Sequence, residues 1–219
     1  MSPDLFLALW GFAFVTSITP GPNNMMLLAS GVNFGARRTL PHMLGISIGH
    51  GLMVFLVGLG VAGLFRAWPP ALTVLKLVSV AYMLWLAWKI AGAAAPAGKA
   101  GPGEGAGPGE GTSTGARPLT FLQAAAFQWV NPKGWAMALG AVGAYVTEPS
   151  PRAYLLVATV FSLVNLPSVL VWALMGQGLR RWLDDPPRRR LFNWSMAVLL
   201  VLSLWPVVTM TVPGTVPAG

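Results

Sequence analysis

Apolar residues along this chain gather into six long stretches with short polar segments between them. The stretches are about Leu5–Gly31, Met43–Phe65, Leu72–Ile90, Phe121–Val146, Tyr154–Leu179 and Leu191–Val212. A hydrocarbon core about 30 Å thick takes about 20 apolar residues to cross as a helix. In lipid, every backbone N–H and C=O must find its partner within the protein, so each stretch predicts a transmembrane α-helix. The first stretch does not read as a cleavable signal. Asp4 stands where a basic leader would, no clear A-x-A site follows, and the run is too long. The expected fold is an all-α membrane protein of six transmembrane helices.

Composition agrees with this reading. Of the 219 residues 55% are hydrophobic and 9% are charged, against about 25% charged in soluble domains. A net charge of +8 would suit a nucleic-acid binder, but the basic residues lie in the short polar segments, where a membrane protein keeps them. Segments one, three and five carry Arg37, Arg38, Lys89, Lys99, Arg117, Arg180, Arg181, Arg188, Arg189 and Arg190, whereas segments two and four carry only Arg66 and Arg152. The positive-inside rule therefore places segments one, three and five in the cytoplasm and both termini outside. The Arg180–Arg190 cluster serves this topology; binding of anionic lipid is a second use open to it. With no cysteine in the chain, disulfides, thiolate metal sites and thiol redox chemistry are excluded.

Residues 91–118, AGAAAPAGKAGPGEGAGPGEGTSTGARP, form a low-complexity linker that cannot bury a core and is expected to be flexible. It separates a first three-helix half, residues 1–90, from a second, residues 119–219. An odd number of spans per half means that any internal repeat is inverted in the membrane. Setting Pro22 on Pro132 runs PNNMMLLASG along PKGWAMALGA; setting span two on span five brings Ser47 to Ser162 and His50 to Asn165. Two registers that each pair polar residues within apolar runs favour two inverted repeats, an architecture common among secondary transporters.

Spans one and four are each interrupted by proline. Thr19-Pro20-Gly21-Pro22-Asn23-Asn24 lies more than halfway along span one. Proline removes a donor and clashes with the preceding turn, so the helix must stop and restart. Gly21 supplies a permissive backbone, and Pro22 suits the first position of the second half-helix. Asn131-Pro132 repeats the device in span four, with Asn131 expected as the N-cap. Broken backbone at membrane depth is tolerated only in protein or beside a wet cavity. Each restart leaves free N–H groups and a partial positive charge, suited to a carboxylate. A single break is equally well a packing kink; two at matching positions favour a binding site.

Other polar residues join these breaks. His50, deep in span two, is either a proton relay or a packing histidine bonded to a neighbouring carbonyl. Asn165, with Pro167 in span five, either lines the same cavity or glues helices together. Lys133 is the one basic residue deep in a span; it either holds a substrate carboxylate or reaches the cytoplasmic face. His42, beside the arginines of segment one, is expected at the interface. No phosphate-binding loop, H-E-x-x-H motif, acidic pair or ligand set at metal spacing occurs, and no Asp or Glu lies within a span. Neither a catalytic residue nor a cofactor is implied.

The segments TPGPNNMMLLASGVNFGARRTLPHMLGISIGHG, LKLVSVAYMLWLAWKI and FQWVNPKGWAMALGAVGAY resemble, in order, the opening, the third hydrophobic segment and the second signature of the lysine exporter (LysE/RhtB) family of bacterial amino-acid exporters. The resemblance covers nearly the whole chain apart from the linker. It implies proton-driven export of amino acids or related metabolites across the bacterial inner membrane, as an antiporter. Carried over by position, it implies substrate contacts at Pro20, Gly21, Pro22 and Asn23 and at Asn131, Pro132 and Lys133; Asn24 and Asn165 join them from the residues themselves. Many family members carry an Asp where this chain has His50. Without an acidic residue in any span, a neutral amino acid fits better than a cationic one. An ion or metal transporter on the same scaffold, or a membrane assembly factor, are the other readings. The Gly- and Ala-rich span faces allow close packing within one subunit or between the subunits of a homodimer.

Overall fold

The computed structural model describes residues 1–68, 70–92 and 117–205; most of the linker and the chain beyond Trp205, where part of the sixth predicted span falls, lie outside the described residues. Within them the fold is all-helical. α1 (Pro3–Ile18) and α2 (Pro22–Phe34) flank the first proline break. α3 (Ala36–Gly58) follows, then a 3-10 turn at Val61–Gly63, a short turn of helix at Leu64–Ala67, and α4 (Pro70–Ala91). In the second half α5 (Phe121–Phe127) continues into a 3-10 turn at Gln128–Val130 and, past the second break, into α6 (Pro132–Tyr145). α7 (Pro151–Leu179), a 3-10 turn at Trp182–Asp184, and α8 (Pro186–Leu202) complete the described chain.

Local chemistry explains most boundaries. Ser2 caps α1 by accepting from Leu5 N, and Ser150 caps α7 by accepting from Ala153 N. Thr120 and Gln123 close a reciprocal capping box at the start of α5. α3 starts seven residues before the stretch that predicts it. Gly35, at φ +78°, makes the whole turn between α2 and α3, a conformation open to glycine. Arg37 and Arg38 consequently stand in the first turn of α3 instead of in a loop. Likewise Arg188, Arg189 and Arg190 open α8, and Arg188 pairs with Asp185 at 2.9 Å.

Among the described residues three helices, α3, α4 and α7, are long and apolar enough to cross a membrane, and a fourth crossing arises if α1 and α2, bent by 55°, form one span. α8 runs 17 described residues. Helix faces follow the expected division between protein and lipid. In α1 the buried Leu9, Ala13 and Ser17 make one stripe at four-residue spacing, while Leu7, Phe14 and Val15 stay exposed.

The helices cross closely. A Cβ on Gly31 of α2 would collide with the Ala173 carbonyl of α7, and one on Gly176 of α7 with the Leu28 carbonyl of α2. Such backbone-to-backbone approach, through small residues, is how helices associate where lipid offers no hydrophobic drive. Two apolar clusters result. One joins Met25, Leu28, Ile46, Ala124, Val169 and Ala173; the other joins Leu9, Ala13, Met53, Ala138, Phe161 and Val164. Along α3 and α7 they give way to Ser47 and His50 and to Asn165 and Ser168, all buried. A polar layer thus separates two apolar halves of the core.

Candidate functional site

Both proline breaks enter this polar layer. At the first, Thr19 and Gly21 are extended, as residues before proline are driven to be. α1 therefore ends with carbonyls that no helical N–H can reach. Asn24 donates from Nδ2 to Ser17 O (2.9 Å) and Thr19 O (2.8 Å). Trp172 donates from its indole to Ile18 O (3.0 Å). Lys133 reaches across from the second break, donating from Nζ to Thr19 O (2.7 Å), Thr19 Oγ1 (2.9 Å) and Pro20 O (3.3 Å). The negative end of the α1 dipole is thus met by an ammonium group. The Lys133 ammonium, read from the sequence as holding a substrate carboxylate or reaching the cytoplasmic face, here lies on the carbonyls of the opposite break. Gly21, too, has a different reason from the one expected. Its backbone is fully extended (φ 180°), open to any residue, but a Cβ there would lie 2.8 Å from Lys133 Cδ.

At the second break Asn131 is extended and Pro132 begins α6. Asn131 stands at the N-cap position, yet its side chain does not cap the helix, a correction to the sequence expectation. Its Nδ2 lies 3.4 Å from Gln128 Oε1, and its Oδ1 is buried with no partner among the described residues. Gln128 is the residue sequence reasoning missed. It exchanges two hydrogen bonds with Asn23, at 2.9 and 3.1 Å, and donates to Ala124 O. The two breaks are therefore joined twice, by an amide pair and by Lys133. An amide within an apolar run, three residues before Asn131, was the available signal, since a buried amide must find partners.

A further chain of bonds ties the layer together. Ser47 donates to Asn165 Oδ1 (3.0 Å), and Asn165 Nδ2 donates to Ser17 Oγ (3.2 Å), linking α3, α7 and α1. Helix α7 runs unbroken through Pro167. His50 is 2% exposed, packs edge-on to Phe161 with ring centroids 5.5 Å apart, and keeps Nε2 without a partner among the described residues. His42, expected at the interface, is also buried in α3, with neither ring nitrogen partnered.

These residues enclose one small cavity. Gly21, Pro22, Asn23, Asn24, His50, Asn131, Lys133 and Asn165 line it, whereas Pro20 and Pro132 shape the breaks without lining it. Its volume, about 20 Å³, holds about one water molecule. Neither helix restart is capped by its own cap residue's side chain, so α2 and α6 bring uncapped N-terminal ends to a common space. That arrangement is suited to a carboxylate; the carbonyl end of α1, where Lys133 now sits, is suited to an ammonium group. Among the described residues no group of three or more His, Cys, Asp or Glu side chains is placed to hold a metal ion.

Residues 14–203 match the model of the LysE type translocator family. The cysteine/O-acetylserine efflux protein of Escherichia coli (strain K12) is 30% identical over 207 residues, covering 92% of this chain and 96% of its own length. Proteins of the same description from Shigella sonnei and Shigella flexneri match to the same extent. No solved structure matches the chain significantly. With helices fit to cross a membrane, two breaks meeting in a buried polar layer, and a family match over most of its length, this chain belongs to the LysE family of membrane translocators and is not an enzyme.

Proposed function

We propose that this chain exports small neutral amino acids or their derivatives across the bacterial inner membrane, binding them between its two helix breaks. The carrying observation is the convergence of both breaks on one buried polar cavity that holds Oδ1 of Asn131 and Nε2 of His50, neither partnered among the described residues. In this reading the substrate carboxylate lies against the α2 and α6 ends, at Pro22–Asn24 and Pro132–Lys133. Asn23, Asn131 and Asn165 orient it, and its ammonium takes the carbonyls at Thr19 and Pro20 once Lys133 withdraws. The relatives named for cysteine and O-acetylserine efflux support a substrate without side-chain charge.

The six-span architecture of two inverted repeats, residues 1–90 and 119–219 without the linker, belongs to the same proposal. It is supported by Ser162 donating to the Ser47 carbonyl at 3.2 Å, since positions equated by a two-fold axis meet where they lie close to it. Rocking of the halves opens the small cavity to each side in turn. His50, which shares the cavity with one other titratable side chain, Lys133, carries the coupling proton in exchange for substrate.

The test is growth of an export-deficient bacterium on toxic levels of single amino acids and their analogues. Expression of this chain should confer resistance to a neutral one. Asn131→Ala should abolish that resistance while still reaching the membrane, and His50→Gln should remove its dependence on the proton gradient. Resistance to none of the amino acids, or full activity in Asn131→Ala, would overturn the assignment.

A further inference from the structure

The break site as folded has no room for an amino acid, but a second cavity does. It lies at the other end of α2, between that helix, α3, α4 and the segment that re-enters at Arg117, and its volume is about 280 Å³. Small-molecule sites begin at about 300 Å³. Its wall is built of Ser30 and Asn33 from α2, His42 from α3, Tyr82 from α4, and Arg117. His42 is 1% exposed, and neither ring nitrogen has a partner among the described residues. A neutral imidazole offers one donor and one acceptor, and leaving both unmade in a buried place is costly. His42 lines the adjoining cavity, so a polar ligand there is placed to satisfy one of them.

Among the described residues the charge lining this cavity is positive. Arg117 lines it, and Arg38 sits 6.0 Å over the ring of Phe34, which also lines it. No described carboxylate contributes to the wall. A guanidinium whose fork matches a carboxylate, with hydroxyl and amide groups nearby, selects a small organic acid over a cation. The aromatic and aliphatic surfaces of Tyr82, Trp85 and Leu86 provide room for a short apolar side chain.

We propose that this cavity is a loading site, taking a carboxylate-bearing molecule of amino-acid size before it reaches the helix breaks. Arg117 holds the carboxylate, and His42 bonds a second polar group of the same ligand. In the proposed topology the cavity faces the cytoplasm, where an exporter collects its cargo. The choice of ligand rests on the exporter reading; the existence of a second site does not.

The chain has no cysteine of its own, so Asn33→Cys places a single thiol at an exposed position of the cavity wall. The purified full-length variant, in nanodiscs of neutral lipid, is labelled with a maleimide in the presence of L-serine, O-acetyl-L-serine, acetate or ethanolamine. Either amino acid should slow labelling saturably, with acetate weaker and ethanolamine without effect. Arg117→Gln should raise the half-protecting concentration about tenfold, the loss of one charged hydrogen bond. His42→Gln should raise it as well, and Arg117→Gln gives an independent reading if that buried substitution impairs folding.

Asn131→Ala in the same background separates the two sites. Protection that survives while transport is lost supports a loading site independent of the break site. Protection that disappears with Asn131→Ala overturns it, because it then reports occupancy of the break site. It is equally overturned if no amino acid slows labelling, if protection is unchanged in Arg117→Gln, or if only anionic lipid added to the nanodisc protects.

Discussion

Lys133 decides what the break site is at rest. Its ammonium satisfies carbonyls of Thr19 and Pro20 that the broken helix cannot satisfy itself, and its stem fills the space that Gly21 leaves open. Charged hydrogen bonds of this kind are worth about 1.5–3 kcal/mol each before solvent screening; for a half-buried side chain the lower end applies. Lys133→Met is expected to cost about 1–2 kcal/mol of stability, read as a lower unfolding midpoint of the purified protein in detergent. Gly21→Ala should shift the midpoint in the same direction by a smaller amount, because a methyl there displaces the Lys133 stem. Midpoints unchanged in both variants would show that the brace is not a stabilising contact. The sequence made the breaks of this site legible, since proline interrupts a helix through local rules, and it placed Asn23, Asn24 and Asn131 beside them. It did not reveal Gln128, Ser17 or Trp172. Their partners lie 105, 148 and 154 residues away along the chain, and no local pattern carries that distance.

At the level of elements, the hydrophobic stretches predict which helices exist better than where they begin. Arg37 and Arg38 read as a loop, but a single left-handed glycine makes the turn and the helix starts at once. Basic residues in a first helical turn near the membrane surface satisfy the same topological rule as basic loops. How the helices cross was less legible, because a glycine in an apolar run looks alike whether it meets a neighbour or faces lipid. Gly31 and Gly143 separate the two cases. A Cβ at Gly31 runs into the Ala173 carbonyl, whereas one at Gly143 meets nothing within 4 Å. Gly31→Ala should therefore destabilise by about 1–3 kcal/mol, the usual cost of overpacking. Gly143→Ala should be neutral or stabilising by up to about 1 kcal/mol, the helix-propensity gain. Thermal unfolding of the two variants side by side checks this. Equal midpoints would mean that the contact between α2 and α7, which joins the two proposed halves, gives way at little cost.

For the molecule as a whole, the open choice is whether the bent pair α1–α2 crosses the membrane or turns back within it. Length and hydropathy admit either three spans or four among the described helices, and the proposed two-fold relation needs the pair to cross. Charge points the same way: Arg37 and Arg38 follow α2, whereas residues 1–18 carry no Lys or Arg. Under the positive-inside rule these ends belong on opposite sides. Single cysteines introduced into the cysteine-free chain read this directly. Ser2→Cys and Glu148→Cys, at exposed positions, should react with an impermeant maleimide added to intact cells after the outer membrane is opened. Arg181→Cys, exposed in the basic turn between α7 and α8, should react only once the inner membrane is permeabilised. If Ser2→Cys behaves like Arg181→Cys while Glu148→Cys reacts from outside, the bent pair is re-entrant. The first break would then be a hairpin tip, the halves would not be related by inversion, and alternating access would have to come from movement of α1–α2 alone.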